Sequence, residues 1–269
     1  MIEKQGVIAI LDALGAATYS AAQIDQFLRS RQVVLDLLAS NAEWKALRGD
    51  NGPNQLTTFT FNDTVLIVYP TQQMPTFDDV RRFCLLLRRF QVDSLLNGIL
   101  FRGSIAVGRF RADDESNTVM GEAVTDAAAW YDSADWVGIN ATPMATLYVQ
   151  SLVDQTGEDL DHVLLDWKVP LKDGKGERKL KALNWPKVFV VPNMTPCRNG
   201  ENPRAKCANL LTVHGVPKGT EAKYTHTMAF YDECIKLRNQ TVANKKKRKA
   251  TKRPPPATRR GKKFIISRD

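Results

Sequence analysis

The sequence predicts an α+β fold in which helices pack on one face of a sheet of the split βαβ kind. Three observations carry this prediction. Val7 to Leu11 is an unbroken apolar run ending at Asp12, as expected of a central strand buried on both faces. Two segments rich in β-branched and aromatic residues, Leu56 to Phe61 and Thr64 to Tyr69, are separated only by Asn62-Asp63, the spacing of a tight hairpin. A long amphipathic stretch stands on either side of that hairpin.

Taken in order, Gly15 lets the chain turn after the first strand. Ile24, Phe27, Leu28, Val34, Leu35 and Leu38 then recur at three- and four-residue steps, predicting a helix over about 20–47. Gly49, Asn51, Gly52 and Pro53 stop it. After the hairpin, Thr76 and Asp79 form a helix-start signal, and Val80, Phe83, Cys84, Leu87 and Phe90 mark the apolar face of a second helix running toward Gly98. Ile99 to Val107 reads as a strand interrupted by Arg102 and Gly103, and the alanine-rich 121–133 as a closely packed helix. Beyond Trp136, Lys172 to Lys179 reads as a charged turn and Val188 to Val191 as a strand; Pro203 to Val213 and Tyr224 to Asn239 read as helices. The expected organisation is a core over 1–143, an extension packed on it over 144–243, and a flexible basic tail over 244–269.

Charge supports that last boundary. The net charge is +9, yet eleven Lys and Arg fall between Lys245 and Lys263 with no acid among them, which leaves the remainder at −2. The body is therefore close to neutral, with no interleaved basic and aromatic stripe, and a nucleic-acid partner is not expected despite the tail. Pro254 to Pro256 interrupt any helix there. No leader-like start and no run of about 18 apolar residues is found, so a cytoplasmic chain with no membrane partner is expected. Four scattered cysteines and three scattered histidines suit neither a zinc site nor a disulfide framework. Walker A, GxGxxG, GxSxG and HExxH patterns are all missing from the sequence.

Asp12 and Asp63 stand out because each ends an apolar strand, where a carboxylate is costly unless a positive group sits beside it. A hard divalent cation with oxygen ligands would serve. Taken singly, Asp12 could equally cap the following helix region and Asp63 simply make a turn. Arg102, inside an apolar strand, needs an anion too: either a substrate phosphate or a neighbouring carboxylate such as Glu122.

Four blocks, IAILDALG at 8–15, FTFNDTVLIV at 59–68, FRGSIAVG at 101–108 and MGEAVTDAAAWYD at 120–132, resemble the class III nucleotide cyclases in order and spacing over the first half of the chain. WVGINATP at 136–143, VPLK at 169–172 and ALNWP at 182–186 resemble the pyrimidine cyclases of bacterial Pycsar anti-phage systems. The resemblance implies a class III cyclase-like sheet and an enzyme that converts UTP to 3′,5′-cyclic UMP and pyrophosphate. It implies two divalent ions, Mn2+ or Mg2+, held by Asp12, Asp63 and the carbonyl of Ala13. Asp12, Asp63 and Arg102 would be the catalytic residues. Backbone amides of Leu14, Gly15 and Ala16, at the start of the long helix, would seat the terminal phosphates. A homodimer with sites at a head-to-tail interface, and a separate effector receiving the cyclic nucleotide, complete that picture.

The chain departs from the family at two places. Where purine cyclases carry Asn and Arg to steady the transition state, it aligns Thr125 and Ala129, so Arg102, Arg109, Arg111 or a tail residue supplies the cation, or turnover is lost. Where they carry a base-selecting lysine it has Phe59, which suggests a base other than adenine. Cytidine remains an alternative to uridine, and a nucleotide-binding module without turnover is the competing reading from another class.

Overall fold

The computed structural model describes residues 3–16, 19–41, 45, 56–113, 115–172, 174–192 and 194–251. The order of elements is β1 (Glu3–Ala13), α1 (Ala21–Ser40), β2 (Thr57–Phe61), β3 (Thr64–Thr71), α2 (Phe77–Leu96), β4 (Phe101–Asp113), β5 (Thr118–Met120), α3 (Glu122–Trp130), β6 (Ile139–Ala141), α4 (Pro143–Thr156), β7 (Leu164–Pro170), β8 (Glu177–Leu183), a short 3-10 helix (Pro186–Val190), α5 (Pro203–Leu211) and α6 (Glu221–Thr251).

The strands form one eight-stranded sheet in the order β2-β3-β1-β4-β6-β8-β7, with β5 added to β4. β2–β3, β3–β1 and β1–β4 are antiparallel, so β1, α1, β2, β3, α2 and β4 together make the expected split βαβ arrangement. β6 runs parallel to β4, and the β7–β8 hairpin continues the sheet beyond it. The extension thus adds strands to the same sheet. The chain divides into two compact units, Met1–Ile235 and Lys236–Asp269.

β1 is central because both its faces are apolar: Val7, Ile8, Ala9 and Leu11 are fully buried. Its odd-numbered residues pack with Phe27, Val34 and Leu38 of α1 and with Val80, Phe83, Leu87 and Phe90 of α2. Its even-numbered residues face the other way, onto Ala123 and Ala127 of α3. The expectation of helices on one face is corrected to that extent: α3 covers part of the opposite face. Small residues allow it, since Gly108 lies under Ala123 and the Ser104 hydroxyl donates to the Ala127 carbonyl at 2.7 Å.

Local signals set the helix starts. Ser20 with Gln23, and Thr76 with Asp79, form capping boxes on α1 and α2. Thr142 caps α4 ahead of Pro143, and Asn202 caps α5 ahead of Pro203. α1 ends at Ser40; of the stretch expected to carry the helix on to 47, residues 42–44, 46 and 47 lie outside the described residues. Of the strand read over 188–191, Val188 to Val190 belong to the 3-10 helix, because Pro186 and the Trp185 turn favour a tight coil over an extended segment. α6 continues through 244–251, where the tail was expected to begin; the remaining tail, with Pro254 to Pro256, lies outside the described residues. Among the described residues no helix is long and apolar enough to cross a membrane.

Candidate active site

The two singled-out aspartates meet at one end of the β1 ladder. Asp12 pairs in register with Thr64 on one side and Arg102 on the other. Asp63 occupies the two-residue turn between β2 and β3, where Asn62 adopts φ +50°, a left-handed conformation that asparagine tolerates. The Ala13 amide donates to the Asp63 carbonyl at 3.2 Å, fastening the hairpin tip to the end of β1.

Arg102 lies directly across from Asp12. Its Nη2 and Nε donate to Asp12 Oδ2 at 3.0 and 3.2 Å, and its Nη1 donates to the Asp132 carbonyl at 3.3 Å. The register depends on Gly103, where a Cβ would come within 2.2 Å of the Ile10 carbonyl oxygen, so β4 can approach β1 here only without a side chain. The anion beside Arg102 is therefore the Asp12 carboxylate. Glu122 is engaged elsewhere, by Arg109.

Both side chains of this pair are largely buried, at 15% exposure for Asp12 and 12% for Arg102. Burial raises the Asp12 carboxyl above the ordinary carboxylate range; the Arg102 hydrogen bond and charge oppose that rise, and the charges of Asp63 and Asp132 add to it. Desolvation outweighs the ion pair, so the folded protein favours the neutral acid more than water does.

The remaining residues assigned in the sequence fall as follows. The Leu14 amide donates to the Leu100 carbonyl at 2.8 Å, and the Ala16 carbonyl accepts from the Tyr19 amide at 3.1 Å. α1 begins only at Ala21. Leu14, Gly15 and Ala16 thus form a turn ahead of the helix, which corrects their expected place at its start. Gly15 makes that turn with φ +85°. Phe59 is 2% exposed and packs among Ile8, Leu66, Phe110 and Ala127, so the flat apolar wall expected for a base faces the core instead. Thr125 is exposed on α3. Arg109 and Arg111 pair with Gln5 and Glu3 at the far end of the ladder, about 23 and about 30 Å of strand away from Arg102 at about 3.3 Å per residue, and cannot serve the Asp12 end of the same chain.

Sequence reasoning missed three charged residues that gather here. Asp132 accepts from Lys172 Nζ at 3.2 Å, and its carbonyl accepts from Arg102. Lys223, on α6, is close enough for Arg102 and Lys172 to act on its charge. Asp132 and Lys172 do lie within quoted motif blocks, but nothing in the local sequence brings α6 to this rim.

Among the described residues no group of three or more His, Cys, Asp or Glu is arranged to hold a metal ion. Two carboxylates are present instead, with Asp12 Oδ1 left beside the oxygen taken by Arg102. Such a donor set fits a hard divalent cation that takes its other ligands from phosphate and water.

No family model matches the chain, and no curated protein matches it. Among solved structures, the chain is similar to the catalytic core of a rhodopsin-guanylyl cyclase with converted specificity in complex with ATPalphaS. That likeness is distant, with a TM-score of 0.43 and 14% identity across 68% of this chain and 96% of the other.

Proposed function

We propose that the chain is a nucleotide cyclase that closes a nucleoside triphosphate to its 3′,5′-cyclic monophosphate and releases pyrophosphate. The observation that carries the reading is the joining of Asp12, at the end of a buried central strand, to Asp63, at the tip of the adjacent hairpin, with Arg102 set across from Asp12. Polar groups this costly to bury are retained where chemistry uses them.

Asp12, Asp63 and the Ala13 carbonyl would hold the divalent ions, Mn2+ or Mg2+. Bound there, such ions lower the pKa of a ribose hydroxyl and offset charge on the transferring phosphorus. Arg102 would shift part of its interaction from Asp12 Oδ2 to the phosphates as that charge arrives. In the overall step a bond forms between the 3′ oxygen and the α-phosphorus, the bond from the α-phosphorus to the bridging oxygen breaks, the hydroxyl proton passes to water, and pyrophosphate leaves.

The finer reading is a uridylate cyclase, with cytidylate cyclase as the alternative, serving as the signal-generating part of anti-phage defence. It is supported by the blocks at 136–143, 169–172 and 182–186. Since Phe59 is core, base selection falls to other groups, and the partner protomer of a head-to-tail homodimer is the natural source. Incubating the protein with each of the four NTPs and Mn2+, and following cyclic product and pyrophosphate, tests both levels. We expect UTP to react fastest, with CTP second. A purine rate above both pyrimidines overturns the base assignment alone. Nucleotide binding without any cyclic product overturns turnover and leaves the nucleotide-binding module.

A further inference from the structure

The face of α6 that docks on the core carries Lys223, His226, Thr227 and Phe230 at helical spacing. The Thr227 hydroxyl accepts from the Val137 amide at 2.8 Å and donates to the Lys223 carbonyl at 2.6 Å. His226 Nδ1 lies 2.9 Å from the Asp135 carbonyl oxygen. The Phe230 ring meets Trp136 and Trp167 edge-on, with centroids at 4.7 and 5.3 Å. These contacts fix the first turns of α6 against the 132–137 segment, whose Asp132 is already held by Arg102 and Lys172.

Three cations from three separate elements therefore gather about the 132–135 segment, close enough to act on one another's charge. Arg102 is paired with Asp12 and Lys172 with Asp132. The Lys223 ammonium makes no ion pair or hydrogen bond among the described residues. Asp135, the acid whose charge acts on it, has its Oδ2 3.6 Å from His226 Nδ1. Burial, with the charges of Arg102 and Lys172, lowers the pKa of Lys223, and Asp135 only partly opposes this. Like charges held together on a half-buried rim are unfavourable unless an anion bridges them, and a polyphosphate has the charge and the number of acceptor oxygens to do so.

We propose that Lys223 is a substrate-binding residue, supplied by α6 to complete with Arg102 and Lys172 a site for the terminal phosphates of the nucleotide. The inference rests on reading the Asp12–Asp63 end as the triphosphate site. It assigns to the C-terminal extension of the same chain a cation that the usual helix positions, Thr125 and Ala129, cannot provide.

The test uses the full-length protein and sodium tripolyphosphate. Acylation of lysines by an amine-reactive reagent, followed by peptide mass spectrometry, should slow at Lys223 by at least about fivefold when tripolyphosphate is added, and stay unchanged at exposed Lys218. Lys223→Ala should raise KM for the nucleotide about tenfold with kcat changed less, and Lys223→Arg should stay within about threefold of the parent. Equal acylation of Lys223 with and without tripolyphosphate overturns the proposal whatever the variants do. Protection of Lys223 in a protein that forms no cyclic product supports it and overturns the cyclase reading instead.

Discussion

The β1–β4 ladder carries arginine–carboxylate pairs at both ends, and the two ends differ in solvent. At one, Asp12 and Arg102 are 15% and 12% exposed and Arg102 also binds the Asp132 carbonyl. At the other, Arg109 reaches Glu122 and Glu3 with every side chain about half exposed or more, and Arg111 approaches Glu3 only to 4.0 Å. Exposed pairs cost little to form and contribute little, whereas a buried pair costs several kcal/mol in desolvation and is strongly missed if one partner goes. Pairs of the same kind thus count for little at one end and are costly to break at the other.

The sharpest way to break this contrast is activity. Under the proposed function, Asp12→Ala and Asp63→Ala should each lower NTP turnover by about a thousandfold or more, because each removes a carboxylate that would hold the metal. Glu3→Ala and Glu122→Ala should leave the rate within about twofold. Metal-dependent product from either aspartate variant at near-parental rate would return both residues to structural roles.

Stability supplies the next test. Arg102→Ala should destabilise the protein by about 2–3 kcal/mol at pH 8, since it strands the Asp12 carboxylate in a half-dry site. The folded-state pKa of Asp12 is already raised, so the folded form favours the neutral acid: the stability Asp12 contributes is greatest below its unfolded pKa and is lost as pH rises through the folded value. The Arg102→Ala penalty should accordingly shrink toward pH 5, and adding Asp12→Asn should recover much of it. Arg109→Ala should leave Tm within about a degree of the parent at every pH. A pH-independent Arg102→Ala penalty, measured by denaturant melts, would contradict this account.

The smallest effect concerns salt. Between 0.05 and 1 M NaCl, any residual stability difference between Arg109→Ala and the parent should vanish, while that of Arg102→Ala should persist, because screening reaches exposed charges far better than buried ones. Parallel loss of both differences would mean the Asp12 end is wetter than its burial indicates.

The sequence made much of this end legible. β1 and the Asn62–Asp63 hairpin follow from apolar runs and a turn that only those residue types favour, and the capping box at Thr76 and Asp79 marks α2 correctly. Arg102 was recognisable as a charge in an apolar strand, but its partner was not, because strand register is a long-range property and Asp12 lies 90 residues away. Phe59 failed as a pocket residue for the same kind of reason: alternation shows that one face of β2 is buried, but not which helix covers it. Lys223 was invisible, since its placement depends on α6 docking through Thr227 and Phe230 to a distant loop.

The central position of β1 also has a consequence for biosynthesis. Its hydrogen-bonding partners are β3, whose register reaches Thr71, and β4, whose register reaches Arg111. β1 precedes both partners in the chain, so as the chain is made its apolar stretch waits about 60 residues for β3 and about 100 for β4. Throughout that interval Asp12, an ionised side chain at the end of an otherwise greasy segment, serves as a gatekeeper against strand-to-strand association of nascent chains. The carboxylate that a finished site would use for metal thus has an earlier occupation, as a charge at the end of the apolar run that helps keep the unfinished chain soluble.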